Sequence, residues 1–142
     1  QAALFLLFTP LMGIPATFLG MVSALLICGL MGTAFGSLGF VMAWKVKSTR
    51  GFLALMNFFL MPLWLLSGAF FPISGIPETI QWVAWLNPVT YGLDALRIAM
   101  YGFGNLPIHT ILGFWPSVGI FLSFTLLTLF GAQYAIHKPF TD

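Results

Sequence analysis

The stretch GIPETIQWVAWLNPVTYGLDALR, residues 75–97, decides the fold, because it interrupts a strongly apolar chain with prolines, two acids and an arginine. Pro77 suits the first turn of a helix, with Ser74 or Gly75 as the preceding cap. Glu78 then lies in that first turn, where a negative charge complements the helix dipole. The pattern predicts a short helix that ends just before Asn87.

A second short helix is predicted immediately after the first. Asn87 is a good N-cap, and Pro88 is tolerated at the first helical position. The helix is expected to run to about Tyr101 and to end near Gly102 and Gly104. Helices of about 10 and 13 residues are each too short to cross a hydrocarbon core of about 30 Å. Together they predict a hairpin rather than a span.

Residues 75–104 are therefore predicted to form a re-entrant hairpin that enters the membrane from the outer side and returns, covered by protein or by water. Asp94 and Arg97 are three residues apart and share one face of the second helix. Ionisable groups at membrane depth usually pair or face a cavity. Two interpretations stay open: an ion pair that fixes the hairpin, or direct contact of these side chains with a transported substrate.

The composition places the whole chain in a membrane. Of its 142 residues 60% are hydrophobic and only 6% are charged, whereas soluble domains carry about a quarter charged residues. The net charge of +2 is too small to indicate nucleic-acid binding. Cys28, the one cysteine, lies in an apolar run and is interpreted as a small buried hydrophobe. His109 and His137 are isolated at span ends, so no metal site is expected.

The expected fold class is all-α integral membrane, with about four transmembrane helices, the first truncated, and the hairpin. A span needs about 20 mainly apolar residues. The predicted segments are a partial span at 1–14 and complete spans at 19–44, 52–71 and 112–136. Since the chain begins inside an apolar run without an initiator Met or a basic leader, it is expected to be the C-terminal part of a longer polypeptide.

Basic residues set the expected orientation, because short basic loops stay cytoplasmic. Lys45, Lys47 and Arg50 fill the loop after the span at 19–44, and Lys138 follows the last span. Both clusters can be cytoplasmic only if residues of about 72–110 lie outside. The pattern predicts a multi-pass protein of the plasma or inner membrane with a cytoplasmic C-terminus.

Gly32 and Gly36 form a GxxxG pair in a span that is rich in small residues. Small residues let helix backbones approach closely in lipid. Such a pair is typical of packing within one chain and also of a subunit interface, and both interpretations stay open.

Several motifs in order resemble one family. The sequence contains LSGAFFP at 66–72, IP at 76–77, LNPVTY at 86–91 and DALR at 94–97. This series resembles the permease subunit of type-2 ABC exporters, loosely SG-x-FFP, LP, LNP-x-TY and D-A-x-R. The close match covers about residues 60–105.

The resemblance implies a permease with six spanning helices per half and two short re-entrant helices before the last span. The chain would then hold the third to sixth helices as a single permease domain, 1–142. It would lack the amphipathic N-terminal helix, the first two spans and the coupling loop that docks on the ATPase. Lys45, Lys47 and Arg50 would form the second cytoplasmic loop, which either contacts the ATPase or only holds the topology.

On this resemblance, a set of residues in the motifs would form the outer gate and pathway, with Phe70, Phe71 and Tyr91 as its lining. The set is Ser67, Gly68, Phe70, Phe71, Pro72, Asn87, Pro88, Tyr91, Asp94 and Arg97. The expected function is export, driven by ATP, of an amphipathic, drug-like or lipid-linked substrate.

The expected partners are an ABC ATPase, a second permease copy as a homo- or heterodimer, and the bilayer. The chain has no phosphate-binding GxxxxGK[ST] loop and only three acids, so ATP and Mg²⁺ would be bound by the ATPase and no cofactor by this chain. The alternatives are an ABC-coupled importer or regulator, a membrane anchor or assembly subunit without a transport path, and, more distantly, a membrane-embedded enzyme.

Overall fold

A computed structural model describes residues 1–14, 17–46, 48–70, 75, 77–102 and 110–137. All regular elements in these ranges are helical. They are α1 (Ala2–Leu7), a 3₁₀ turn (Thr9–Met12), α2 (Phe18–Lys45), α3 (Thr49–Leu65), α4 (Glu78–Leu86), α5 (Pro88–Tyr101) and α6 (Phe114–His137). The all-α prediction is confirmed.

Length and composition separate these helices into two groups. Within the described ranges, Phe18–Trp44 and Phe114–His137 are long and apolar enough to cross a bilayer. The apolar helix Thr49–Leu65 is shorter, with 17 residues.

Hydroxyl side chains start α2 and α3. The Thr17 Oγ1 accepts a hydrogen bond from the Gly20 N–H at 3.1 Å, and the Ser48 Oγ accepts one from the Gly51 N–H at 3.1 Å. Each bond satisfies one of the N–H groups that a helix leaves without an internal partner. Ser48 thus caps α3 within the predicted basic loop, and Arg50 lies in the first turn of the helix.

The helix at the third predicted segment is shorter than the sequence suggests. The prediction places a span at 52–71, but α3 ends at Leu65. Gly68 takes a φ of 83°, which a helix cannot continue, and the Ser67 hydroxyl donates to the Trp64 carbonyl at 2.5 Å. Hydropathy alone misses this end, because the residues after it are as apolar as the helix.

The first segment is also less helical than the sequence suggests. Over the predicted partial span at 1–14, the α-helix stops at Leu7, and a 3₁₀ turn follows. Pro10 lies in the first turn of that 3₁₀ element, and Gly13 ends it with a φ of 74°.

The N-terminal cap of the first hairpin helix, α4, differs from the predicted cap. Pro77 is itself the N-cap of α4, with a ψ of 138°, and no side chain caps this helix. The prediction of a Gly75 or Ser74 cap with Pro77 inside the first turn is wrong, because the extended backbone of Pro77 places it before the helix; Ser74 lies outside the described residues. Glu78 is in the first turn, as expected.

The second hairpin helix agrees with the prediction. Asn87 caps α5, Pro88 is its first residue, and Gly102 ends it with a φ of 89°. Gly104 lies outside the described residues.

The long helices α2 and α6 run parallel. The Ser37 Oγ donates to the Thr128 Oγ1 at 2.8 Å, and one turn further along both helices a Cβ added to Gly131 would lie 3.6 Å from the Val41 Cγ2. The N-termini of both helices therefore lie at one end of the molecule and their C-termini at the other.

Helix α5 packs against α2 and α6 near their N-terminal ends. A buried apolar cluster joins α1, α2 and α5, and its members are Leu6, Ala24, Ile27, Ala95 and Ala99. On the α6 side, the ring of Phe121 faces Gly92, at which an added Cβ would lie 3.1 Å from the ring carbons. The hairpin is thus anchored through its second helix.

We expect Gly20→Ala to weaken the contact between α2 and α5. A Cβ on Gly20 would lie 2.5 Å from the Ala99 carbonyl oxygen, which is backbone and cannot turn away. Overpacking of this kind costs about 1–3 kcal/mol of stability. A thermal shift of the purified protein in detergent measures the effect.

Gly32→Ala is the matched control, because a Cβ at Gly32 or Gly36 would meet nothing within 4 Å. Equal melting temperatures for both variants would contradict the close approach at Gly20.

The open space beside Gly32 and Gly36 also decides how the GxxxG pair is used. Within the described residues, these two glycines do not pack against another helix of the chain.

Candidate functional site

The candidate site lies where the hairpin meets the C-terminal end of α3. Asn87 is 5% exposed and serves two elements at once. Its Oδ1 accepts from the Val89 N–H at 3.0 Å, which caps α5, and its Nδ2 donates to the Leu63 carbonyl at 2.5 Å. A carbonyl in the last turn of a helix lacks an internal partner, so this bond closes the end of α3.

Arg97 makes a second bond to the same region. Its guanidinium Nη2 donates to the Gly68 carbonyl at 2.5 Å. Gly68 and the neighbouring Ser67 are buried. Asn87, the cap of α5, and Arg97, further along the same helix, therefore hold the end of α3 and the turn that follows it.

Asp94 points in the other direction, toward α6. It is 4% exposed, and its two carboxyl oxygens accept from the Ser117 Oγ at 2.8 Å and from the Ile111 N–H at 3.2 Å. Asp94 and Arg97 have different partners and no ion pair joins them, so the interpretation as a local ion pair is wrong. Their side chains diverge and connect α5 to two different elements.

The two hairpin helices are tied at their corner. The Thr90 Oγ1 donates to the Ala84 carbonyl at 2.7 Å, and the Tyr91 hydroxyl donates to the Trp85 carbonyl at 2.6 Å. These bonds satisfy carbonyls at the end of α4. Tyr91 is half-buried, and its polar end is engaged within the hairpin.

The predicted aromatic lining is only partly assembled. Phe70 is 53% exposed and stacks edge-on against Trp64, with ring centroids 4.5 Å apart. It therefore meets the end of α3, not the ring of Tyr91. Phe71 and Pro72 lie outside the described residues.

An apolar groove lies between α3 and the corner of the hairpin, with a volume of about 350 Å³. Its walls are formed by Phe58, Phe59, Pro62, Leu63, Leu66, Val83, Leu86, Asn87 and Pro88. None of these residues is charged, and Asn87 is the single polar side chain. We call this feature the corner groove.

The basic loop lies at the far end of the molecule from the hairpin. Lys45 is the last residue of α2, and Arg50 is exposed in the first turn of α3. Lys47 and Lys138 lie outside the described residues.

The structure shows partners that the sequence motifs did not indicate. Ser117 is fully buried against Asp94, and the sequence does not set it apart from the other serines and threonines of the last span. The Leu63 carbonyl had no signal at all, because a backbone acceptor carries no sequence signature. Among the described residues, no group of three His, Cys, Asp or Glu could hold a metal ion.

We expect Asn87→Ala to loosen the hairpin from α3. The variant loses the cap of α5, worth about 0.5–2 kcal/mol, and leaves the Leu63 carbonyl without its donor. Limited proteolysis and a thermal shift of the purified protein measure the loss.

Asn87→Ser is the matched control, because serine keeps the cap but is too short to reproduce the bond to Leu63. A melting temperature for the serine variant equal to that of the alanine variant would mean that the cap contributes nothing. A serine variant equal to the wild type would mean that the Leu63 bond contributes nothing.

These features can be compared with known proteins. Residues 1–101 match the family described as ABC-2 type transporter. The chain belongs to this family, whose members are membrane permeases and transport subunits.

The chain is also similar to nodulation protein J of three rhizobia. It is 31% identical to the protein of Rhizobium leguminosarum bv. viciae over 93 residues, which cover 64% of this chain and 36% of that protein. It is 30% identical to the Sinorhizobium fredii protein over 106 residues, 68% of this chain and 40% of that protein. For R. leguminosarum bv. trifolii the identity is 30% over 111 residues, 72% and 42% respectively.

The chain thus matches about two fifths of the length of these curated relatives. No solved structure gives a significant match.

Proposed function

We propose that the chain is the C-terminal part of the permease of an ATP-driven exporter. The observation that carries this is the corner of the hairpin, where the family motif residues join α3 to α5 at the mouth of an apolar groove. The substrate that fits such a lining is amphipathic, drug-like or lipid-linked.

The parallel course of α2 and α6 supports the proposed topology. Their C-terminal ends share one end of the molecule, and the basic residues Lys45 and Lys138 follow those ends in sequence. Short basic segments stay cytoplasmic. With both ends inside, the hairpin lies outside, the protein is multi-pass and its C-terminus is cytoplasmic.

The contacts of α5 support a re-entrant hairpin. Near its C-terminus, Ala99 lies against Gly20 at the start of α2; further back, Asp94 bonds Ser117 and Gly92 faces Phe121. Along this series α5 runs antiparallel to α6. The corner at Asn87 is therefore the deepest point of the hairpin, where the side chains of Asn87 and Thr90 are buried in protein, as membrane depth requires.

The corner would work as the outer gate. Asn87 and Arg97 bond to carbonyls of α3 and of the turn after it, and Asp94 bonds to α6. A movement of α3 would therefore move the hairpin and act on the last helix. ATP and Mg²⁺ would be bound by a separate or fused ABC ATPase, and a second permease copy would complete the pathway.

Co-purification in mild detergent, followed by an ATPase assay, tests the proposal. We expect a stoichiometric ATPase partner and vanadate-sensitive hydrolysis. We also expect Arg97→Ala to keep the partner and to reduce export of a hydrophobic dye from cells by at least several-fold, because the Gly68 turn loses its donor.

The control is Glu78→Gln, which removes an exposed charge at the start of α4 that the proposed gate does not use. Wild-type export by Arg97→Ala at normal expression would remove this residue from the mechanism. A single chain that purifies without any ATPase would favour the membrane anchor or assembly subunit instead.

A further inference from the structure

Arg97 is a cation without a counter-ion in the described part of the chain. It is the only Lys or Arg in residues 51–137, and the whole sequence has three acids, Glu78, Asp94 and Asp142. Ionisable side chains at membrane depth usually pair with an opposite charge or face an aqueous cavity or a substrate path. An acid that pairs with Arg97 must therefore be one of these three or come from outside this sequence.

None of the three acids neutralises Arg97. Asp94 bonds to Ser117 on α6. Glu78 is exposed at the start of α4 and, within the described ranges, makes no ion pair with Arg97. Asp142 follows the end of α6 by five residues, which span at most about 18 Å, whereas about 30 Å of helix separate that end from Ser117. The anion that Arg97 meets therefore comes from outside this sequence.

The guanidinium of Arg97 is held in place and can be reached by a ligand. Its Nη2 donates to the Gly68 carbonyl at 2.5 Å, which fixes the side chain but does not neutralise its charge. A guanidinium has five N–H donors. Arg97 is half-buried, and among the described residues no buried side-chain nitrogen or oxygen lacks a hydrogen bond. Any Arg97 nitrogen without a partner therefore lies at the surface.

The cation lies beside the corner groove. Leu66 is part of the groove wall, and Gly68, whose carbonyl holds Arg97, follows two residues later, at most about 7 Å along the chain. The guanidinium fork matches the geometry of phosphate and carboxylate groups. An apolar groove of about 350 Å³ with a cation near its edge is thus complementary to a molecule that has a hydrocarbon part and an anionic group.

We propose that Arg97 binds the anionic group, a phosphate or carboxylate, of the amphipathic substrate. The inference rests on the proposed export function and narrows its substrate class to anionic amphipaths. The corner groove takes the apolar part of the substrate, and Arg97 determines specificity through its charge. An acid from another part of the permease would account for the cation alone, whereas an amphipathic anion accounts for both the cation and the adjoining groove.

The binding of two matched probes to the full-length protein in phosphatidylcholine nanodiscs tests the assignment. The probes are an alkyl phosphate and the alkyl alcohol of the same chain length, each with a fluorescent label at the chain end; empty nanodiscs give the background. We expect the wild type to bind the phosphate at least about tenfold more tightly than the alcohol, because hydrogen bonds between charged groups are the strong ones.

Two variants of Arg97 separate its charge from its bond to the turn. Arg97→Gln keeps a donor for the Gly68 carbonyl and should bring the ratio of the two dissociation constants close to one. Arg97→Lys keeps the charge and should retain most of the wild-type ratio. Because the ratio compares two probes on the same protein, a general loss of binding cancels. Glu78→Gln is the matched control and should leave the ratio unchanged.

Other results would overturn the inference in distinguishable ways. An unchanged ratio in Arg97→Gln would refute the anion site and leave the export function standing. A ratio near one in the wild type, with a lower melting temperature for Arg97→Gln, would mean that an acid from another part of the permease pairs with Arg97. Displacement of the alkyl phosphate by phosphatidylglycerol in the nanodisc would assign the site to a membrane lipid and not to the substrate. Phosphate-selective binding without any ATPase partner would refute the exporter but not the anion site.

Discussion

Phe121→Ala is expected to lower the stability of the folded protein by about 3 kcal/mol, the low end of the range for Phe→Ala in cores. Phe121 is 1% exposed and is the largest fully buried side chain among the described residues. Its ring fills the space that the missing side chain of Gly92 leaves between α5 and α6. In lipid, part of the transfer term is absent, but the lost packing and the cavity remain.

The measurement is the unfolding free energy in mixed micelles, or the melting temperature of a fluorescent fusion in detergent. Phe130→Ala removes the same ring from an exposed position of the same helix, 66% accessible, and should leave the melting temperature nearly unchanged. Equal losses for both variants would show that Phe121 has no special role in docking the hairpin.

Asp94→Ala is expected to have the second-largest effect, because it detaches the hairpin from the last helix. The buried Ser117 hydroxyl and the part-buried Ile111 N–H lose their acceptor. An unsatisfied buried group costs about 1–3 kcal/mol, so we expect a loss of about 2 kcal/mol, most of it from Ser117. The purified protein should melt earlier, and the segment before α6 should exchange amide hydrogens faster.

A double-mutant cycle with Ser117→Ala isolates the side-chain bond. If the bond exists, Asp94→Ala should cost less in the Ser117→Ala background than in the wild type. Additive losses would contradict a direct bond. Glu78→Gln is the matched control, because Glu78 is exposed at the start of α4 and its change should leave stability and exchange unaltered.

The local pattern of Pro, Asn and Gly predicted α5 almost to the residue. Asn87 as cap, Pro88 as first residue and Gly102 as end follow from backbone chemistry that acts over a few positions. The same logic failed at α4, where Pro77 is the cap and not part of the first turn. The sequence did not distinguish these two roles, since proline suits both positions.

Hydropathy could not predict where α3 ends. Residues 66–70 are apolar and read as a continued span, whereas the chain turns at Gly68. The turn is held by side chains from distant positions, Asn87 and Arg97. A window along the sequence cannot contain them.

The hydrogen-bond partners of the charged residues could not be predicted from the sequence either. Spacing placed Asp94 and Arg97 on one helix face and suggested a pair, but Arg97 bonds to the turn after α3 and Asp94 to α6. Spacing along a helix indicates which groups can meet, and the surrounding elements decide which groups do meet.

The sequence by itself determined a helical membrane protein with a Pro-broken hairpin, because composition, caps and helix lengths are local properties, and its motif series indicated the permease family. Only the tertiary structure decided how the hairpin is held, through Asn87 to α3, Arg97 to the following turn and Asp94 to α6. The physical reason is that a buried polar group must find a partner, and here the partners are a backbone carbonyl or a hydroxyl more than 20 residues away in the chain.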